Sequence, residues 1–414
     1  MSAARHLLLL SAFALGACEL LGGLSGSREA LPLGSAGSLG CGGAAGTAEQ
    51  CSMTSAASGV GGDQGGGASE ATAGSGAAGL EGGEGGEGGK RGEGGESGEG
   101  GIIEPGPPPV APSCTQPLDC NVESACTTLF VPGGTFPMGR SEDGVDAYLG
   151  RAEEQPEHLV SLSPFWLDKY EVTVGRFRRF FEAYTTNEVA ADAGAIPSVP
   201  ASGWRPEWNS QLPRDQAALA NAMVAANTDC NASFRTWTAA AGNDECLPLN
   251  CVSWYLAFAF CIWDGGRLPS EAEWEFAAAG GEQNRLFPWG ASAPTPENAV
   301  FNCSASGSSD CTPADIRPIG PVRTAGLGRF GQADLAGSVM EYTRDIYDPN
   351  FYVLAAATAM NAVNLSQDTV AHASPLRGGN YINPGGLLRA AARIALPRAS
   401  LDDGVGWRCA RNVE

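Results

Sequence analysis

Asp334 and Glu341 stand seven positions apart in the stretch DLAGSVME, with Gly337 between them. Two carboxylates around a glycine turn are the material of a hard-cation site. Ca²⁺ takes six to eight oxygens, and a tight glycine loop turns backbone carbonyls toward an ion that the acids flank. Two solvated acids bordering a turn have the same spacing. Glu271, Glu273 and Glu275 form a second acidic group. Alternate positions on a helix do not converge and Glu273 is claimed by a helix cap, so acid/base catalysis is not expected there. The chain holds 3 His, of which His6 belongs to a leader, leaving His158 and His372. That excludes a three-His zinc site and leaves a His-dependent triad two candidates at most. His158, after EEQPE, reads as surface structure. Trp254, Trp263, Trp274 and Trp289 suit a carbohydrate site or a core.

Sulfur is the other reactive element. Of 13 Cys, setting Cys18 aside leaves an even number in a chain that reads as exported, and disulfides are its natural use. Cys303 and Cys311 bracket a short polar loop, while Cys114, Cys120 and Cys126 cluster where the globular part begins. Connectivity does not follow from the spacing. No CxxC pair occurs, which gives neither a zinc ribbon nor a thioredoxin-type site support.

Composition separates what can position these groups from what cannot. Residues 22 to 112 contain 31 Gly and no Phe, Trp or Tyr, whereas residues 113 to 414 hold 31 of the 32 aromatic residues. Only the second part can bury a core; at about 300 residues it is large for one domain but within reach. Its 21 basic and 34 acidic residues leave −13, within a whole-chain charge of −21. No basic face is available for phosphates, so a nucleic-acid partner is not expected, and an anionic membrane surface would repel the chain.

At the N-terminus, Arg5 and His6 precede an apolar run, Leu7 to Leu15, that is too short to span a bilayer and has the form of an export signal. Leu15-Gly16-Ala17-Cys18 has the look of a bacterial lipobox, with Cys18 as the lipidated residue; an ordinary cleaved signal with an incidental Cys is the other reading. Each buried acyl methylene would add about 0.8 kcal/mol of membrane affinity. Glycine-rich sequence follows, culminating in EGGEGGEGGKRGEGGESGEGG and then EPGPPPVAPS. Glycine offers no burial and loses much entropy on ordering, so the stretch should stay flexible until the prolines stiffen it; the GGE triplets lack the proline of collagen. The expected organisation is a signal with lipobox Cys over 1–18, a tether over 19–112 and a domain over 113–414.

Within the domain, Thr173 is a plausible N-cap for a helix carrying Val174, Phe177, Phe181 and Tyr184 on one face. A second helix runs from Ser253 through Trp254, Ala257, Phe258 and Cys261 to Gly265-Gly266, and a third opens on the capping box Ser270 to Glu273 and ends at Gly280-Gly281. From residue 282 onward, short apolar runs broken by Gly, Pro, Asn and Asp suggest short strands and many loops. The expected class is α+β, with much irregular structure.

Seven blocks then occur in order: FVPGGTFPMGRSEDG, FWLDKYEVTVGRFRRF, NCVSWYLAFAFCIWDGGRLPSEAEWEFAAAGG, FPWG, DLAGSVMEYTRD, LRGGNY and GWRCAR. Together they resemble the sulfatase-modifying factor family, which includes the formylglycine-generating enzyme, over nearly all of residues 127 to 411. The resemblance implies a C-type-lectin-like fold, poor in regular secondary structure and stapled by disulfides. It also implies calcium, held by the side chains of Asp334 and Glu341 and the carbonyls of Gly337 and Val339. A second family calcium site falls near Asn298 and Asp310, where the match is loose. The family's oxidase holds copper through two cysteines after its Arg-Gly-Gly-Ser block, as soft thiolates suit Cu(I). The corresponding stretch here, RGGNYINPGGLLRAAAR, has no cysteine, is contracted, carries Asn380 for Ser and has Asn383 near the first lost thiol. Met340 stands where the family usually has Trp. Copper oxidase activity by that route is therefore not expected. The resemblance further pairs the Cys matching Cys261 with a position that here is Ala390. Cys261 then needs another partner or stays a buried thiol, and Cys409 is left to bond upstream, with Cys246 or Cys251 as candidates.

Two functions follow as expectations. The first is an envelope-anchored lipoprotein in an oxidising compartment, periplasm or cell surface, whose domain is a calcium-stabilised binding or structural module for a protein or glycan ligand. The second is an enzyme of altered chemistry, a protein-modifying oxidase or hydrolase; an iron centre of two His and one carboxylate would need both His158 and His372.

Overall fold

The computed structural model describes residues 106–120, 123–141, 151–225, 230–307, 310–366 and 372–414. The expected signal, Cys18 and nearly all of the expected tether lie outside the described residues. Among the described residues no strand exceeds five residues, no α-helix exceeds ten, and no helix is long and apolar enough to cross a membrane.

In chain order the strands and helices are β1 (Asp119–Cys120), β2 (Glu123–Ser124), β3 (Thr128–Val131), β4 (Gly134–Met138), β5 (His158–Leu162), β6 (Phe165–Asp168), α1 (Val174–Ala183), α2 (Gln216–Val224), α3 (Trp254–Trp263), α4 (Glu271–Ala279), β7 (Met340–Tyr342), β8 (Ala373–Arg377), β9 (Arg393–Pro397), β10 (Val405–Gly406) and β11 (Ala410–Asn412). β11, β6 and β3 form an antiparallel sheet in that order, so the last strand of the chain closes on the beginning of the domain. β4 pairs with β5, with Phe136 opposite Val160. The third sheet runs β10-β7-β8-β9, antiparallel except where β10 lies parallel to β7.

The helices begin where their caps dictate. The side chains of Thr173, Ser253 and Ser270 accept from the backbone N–H three residues on, and Ser270 with Glu273 completes the reciprocal box. α4 ends on Gly280 at φ 69°, a left-handed cap that glycine adopts without a Cβ clash. α2, between the sequence-expected helices, is capped by Asp215.

α1 and α3 pack their aromatic side chains together. Phe177, Phe180, Phe260 and Trp407 meet edge to face or stacked, and Trp254, Trp208 and Phe258 extend the cluster. α4 lies against β4 and β5, with Phe276 edge-on to Phe136 at 5.1 Å and 85°. Each such ring contributes about 1.5–3 kcal/mol by leaving water. Trp254 and Trp274 are fully buried, as core tryptophans; Trp263 and Trp289 are half-buried, with Trp289 stacked on Phe287.

Among the described residues, five disulfides join Cys114 to Cys126, Cys120 to Cys246, Cys230 to Cys251, Cys261 to Cys409 and Cys303 to Cys311. The expectation that Cys409 bonds Cys246 or Cys251 is corrected. Cys246 is held beside Cys120 in the small cluster of Ala125 and Tyr170, and Cys251 is taken by Cys230. Past α3 the chain turns at Gly265-Gly266 and exchanges backbone hydrogen bonds between Arg267 and Ala410, which sets Cys409 over the last turn of α3. Cys261 thus has a partner, and Ala390 packs in the other core cluster. Disulfides on this scale place the domain in an oxidising, extracytoplasmic compartment.

Candidate functional site

The loop from Ala333 to Glu341 is bent by residues in the left-handed region: Asp334 at φ 53°, Gly337 at 82° and Ser338 at 63°. A Cβ on Gly337 would meet the Val300 carbonyl oxygen at 2.2 Å, so only glycine fits. Four backbone bonds clamp the loop: Gly337 N–H to Gly378 O, Ser338 N–H to Val300 O, Tyr381 N–H to Ser338 O and Met340 N–H to Gly404 O.

Glu341 then points inward from β7. Its carboxylate accepts from Arg408 Nε and Nη2, both at 2.7 Å, and from Trp274 Nε1 at 2.9 Å. Arg408 spends its remaining donors on the carbonyls of Asp168, Lys169 and Ala333. Glu171 is fully buried, and neither of its carboxylate oxygens has a hydrogen-bond partner. Burial, reinforced by the charge on Asp334, pushes its pKa well above the ordinary carboxylate range, while Arg408 opposes the rise.

The expected ligands Asp334, Gly337, Val339 and Glu341 therefore sit on one rigid loop offering only hard oxygen donors, which suits Ca²⁺. Of about four lone-pair positions on a carboxylate, three on Glu341 are taken by N–H groups. Arg408 and Trp274, which hold Glu341, and the buried Glu171 are features that sequence reasoning missed. For Glu171 the signal was an acid within YEVTV, and for Arg408 an arginine beside Trp407. Among the described residues, no three His, Cys, Asp or Glu side chains form a group placed to hold a metal ion by themselves. His158 instead turns Nδ1 to the Pro156 carbonyl and lays its ring on Tyr352, and His372 precedes β8.

The second feature is the stretch between β8 and β9. Asn380 Oδ1 accepts from the N–H groups of Ile382 and Asn383, and Asn383 Oδ1 accepts from Asn380 N–H. Asn383 is thus used to hold a turn. Tyr381 stacks on Phe234, and Leu388 is fully buried with Phe287, Ala299 and Ala336. A small cavity of about 10 Å³ is lined by Met340, Leu376, Gly379, Leu387 and Ile394. The Cys303 and Asn302 N–H groups bond the carbonyls of Tyr381 and Asn383, so the Cys303–Cys311 loop leans on this turn. All the described cysteines are disulfide-bonded.

The frame around both features is a lattice of buried ion pairs. Glu271 accepts from Arg377 and Arg393, Glu275 from Arg377 and the Gly139 N–H, and Glu273 from Arg267 as well as its cap. Glu271 and Glu275 do converge, one helical turn apart, but on Arg377. Glu154 is shared by Arg140, Arg151 and Arg389. Asp168 is held by Arg176 and Arg411.

Burial alone would raise the pKa of Glu154, but the hydrogen bonds and charge of Arg389, then those of Arg140 and Arg151, outweigh it and hold the group below the carboxylate range. Asp168 is lowered in the same way by Arg176 and Arg411. Groups depressed on folding stabilise above their unfolded pKa of about 4 and lose that contribution as pH falls through the lower folded value. Urea midpoints are accordingly expected to hold steady from pH 7 to 5 through these two groups and to fall below about pH 4. A decline already complete by pH 5 would contradict this.

Fold and site together define a disulfide-stapled α+β domain with little regular structure, of the formylglycine-generating-enzyme, C-type-lectin-like class. The chain belongs to the family of the sulfatase-modifying factor enzyme 1-like domain, whose profile matches residues 116–413. It is 26% identical over 309 residues to the formylglycine-generating enzyme of Bos taurus, covering 68% of this chain and 73% of that one. To the inactive C-alpha-formylglycine-generating enzyme 2 of Mus musculus it is 27% identical over 292 residues, covering 69% and 85%. The formylglycine-generating enzyme of Streptomyces coelicolor is 27% identical over 295 residues, covering 69% and 88%. Among solved structures, PvdO from Pseudomonas aeruginosa aligns with a TM-score of 0.46 at 19% identity, covering 72% of this chain and 99% of that one.

Proposed function

We propose that the chain is an envelope lipoprotein, anchored through Cys18, that presents a formylglycine-generating-enzyme-like domain as a calcium-stabilised binding module and not as a copper oxidase. The observation that carries this is the turn between Arg377 and Arg393, which contains no thiol and is closed on itself by Asn380, Asn383 and Leu388. A thiolate centre for Cu(I) has no donors there. That a relative of similar identity is named an inactive formylglycine-generating enzyme is consistent with loss of the reaction on a retained scaffold. Calcium is assigned to the Asp334 to Glu341 loop. Asp334 and Glu341 hold the ion by side chain and Gly337 and Val339 by carbonyl, and the ion's role is to fix the loop against Val300 and Gly378.

The ligand is a protein or glycan met at the face of the Asn380 turn, where Ile382 is 45% exposed and Trp289 is half-buried. The acid excess disfavours nucleic acid. The test is to incubate the full-length chain with copper and a peptide containing the CxPxR sulfatase motif, and to read the peptide by mass spectrometry. The cysteine is expected to remain unchanged. Its conversion to formylglycine would establish instead an oxidase working through other residues.

A further inference from the structure

The chain contains three Asn-x-Ser triplets, beginning at Asn231, Asn302 and Asn364. Asn-x-Ser is the acceptor pattern for N-linked glycan in exported proteins, and the disulfides place this domain outside the cytoplasm. The fold treats the three differently. Asn364 is 2% exposed, donates from Nδ2 to the Ile346 carbonyl and accepts on Oδ1 from the N–H and hydroxyl of Ser366, so its amide is closed off. Asn302 is exposed, but its N–H and that of Cys303 bond the carbonyls of Asn383 and Tyr381. Cys303 is also tied to Cys311, and the Ser304 hydroxyl donates to the Phe301 carbonyl at 2.6 Å. Backbone and hydroxyl of that triplet are both committed.

The remaining triplet is open. Asn231, Ala232 and Ser233 are all exposed. Asn231 Oδ1 accepts from the Ser233 N–H at 3.0 Å, a turn that uses only the carbonyl end of the amide. Among the described residues, neither Asn231 Nδ2 nor the Ser233 hydroxyl has a hydrogen-bond partner.

We propose that Asn231 is a glycosylation site, taking an oligosaccharide from a polyprenyl-diphosphate-linked donor. In the transfer a bond forms between Nδ2 and the anomeric carbon of the sugar, the bond from that carbon to the diphosphate oxygen breaks, and polyprenyl diphosphate leaves. Nδ2 gives one of its two protons to a base of the transferring enzyme, and nothing is oxidised or reduced. Ser233 is the residue by which that enzyme recognises the acceptor. Phe234, whose N–H bonds the Asn231 carbonyl, stacks its ring on Tyr381, so the sugar borders the Asn380 turn.

The experiment isolates the full-length chain from its native host, reduces and trypsinises it, and reads the peptide of residues 215–235 by mass spectrometry; that peptide carries Asn231 and neither of the other triplets. Asn231 is expected to bear an oligosaccharide that fragments to hexose or N-acetylhexosamine, with Asn302 and Asn364 unmodified. Ser233→Ala keeps Asn231 and the backbone bond to it, and is expected to lose the sugar, whereas Ser233→Thr retains it. Asn231→Gln loses it as well. An unmodified wild-type peptide overturns the proposal. So does sugar that persists in Ser233→Ala, since its attachment would then not depend on the triplet, and so does sugar on Asn302 or Asn364 in place of Asn231.

Discussion

Replacing Arg377 with leucine is expected to cost about 3–5 kcal/mol, the usual penalty for stranding one partner of a buried ion pair. Arg377 is 0% exposed and donates to Glu271, Glu275, the Tyr352 hydroxyl and the Ala390 carbonyl. Without it, Glu271 still has Arg393, but Glu275 keeps only the Gly139 N–H among these bonds. Against a total stability of about 5–15 kcal/mol, that loss leaves a marginal or unfolded domain. The double variant Arg377→Leu with Glu275→Leu is expected to recover at least half of the loss, because it removes the stranded charge together with its partner. Denaturant midpoints measure both. A single variant within about 1 kcal/mol of the wild type would show that the lattice contributes far less than its burial implies.

The second large effect is expected from sulfur. Closing the 148-residue separation between Cys261 and Cys409 restricts the unfolded chain by about 5 kcal/mol in the loop-entropy model, whereas the 8-residue separation of Cys303 and Cys311 gives about 2.5 kcal/mol. The two differ in setting as well. Cys261 and Cys409 are 0% exposed beneath Trp407 and Phe260, while Cys303 and Cys311 are only half-buried. Cys261→Ala with Cys409→Ala should therefore lower the melting temperature far more than Cys303→Ser with Cys311→Ser. Comparable melting temperatures for the two double variants would contradict the assignment of Cys261–Cys409 as the principal staple.

The helices most visible in the sequence were those with a hydroxyl cap and a run of large apolar residues. α1, α3 and α4 satisfy both conditions, and their starts coincide with Thr173, Ser253 and Ser270. α2 escaped because QAALANAMV buries only Leu219 and Met223, too few for a stripe, although Asp215 was a legible cap. The Ala333 to Glu341 loop was visible as Asp334, Gly337 and Glu341 because the turn and its acids are local. Its surroundings were not. Glu341 meets Arg408 across 67 positions, and Glu171 comes from the segment after β6. The cysteine pairing failed for the same reason, since the approach of Cys409 to α3 depends on the backbone exchange between Arg267 and Ala410. Glu271 and Glu275 were a different kind of miss: their one-turn spacing was there to be seen, but the arginine that joins them lies 102 positions from Glu275.

The lattice leaves a gap. Its arginines resume at Arg389 and Arg393 after stopping at Arg377, so the turn between is pinned at each end by charge that the turn itself does not provide. Such a span can be rewritten in length and composition while the rest of the domain holds its shape. A change of sequence confined to this span is therefore cheap for the rest of the domain, which makes it the segment most open to variation.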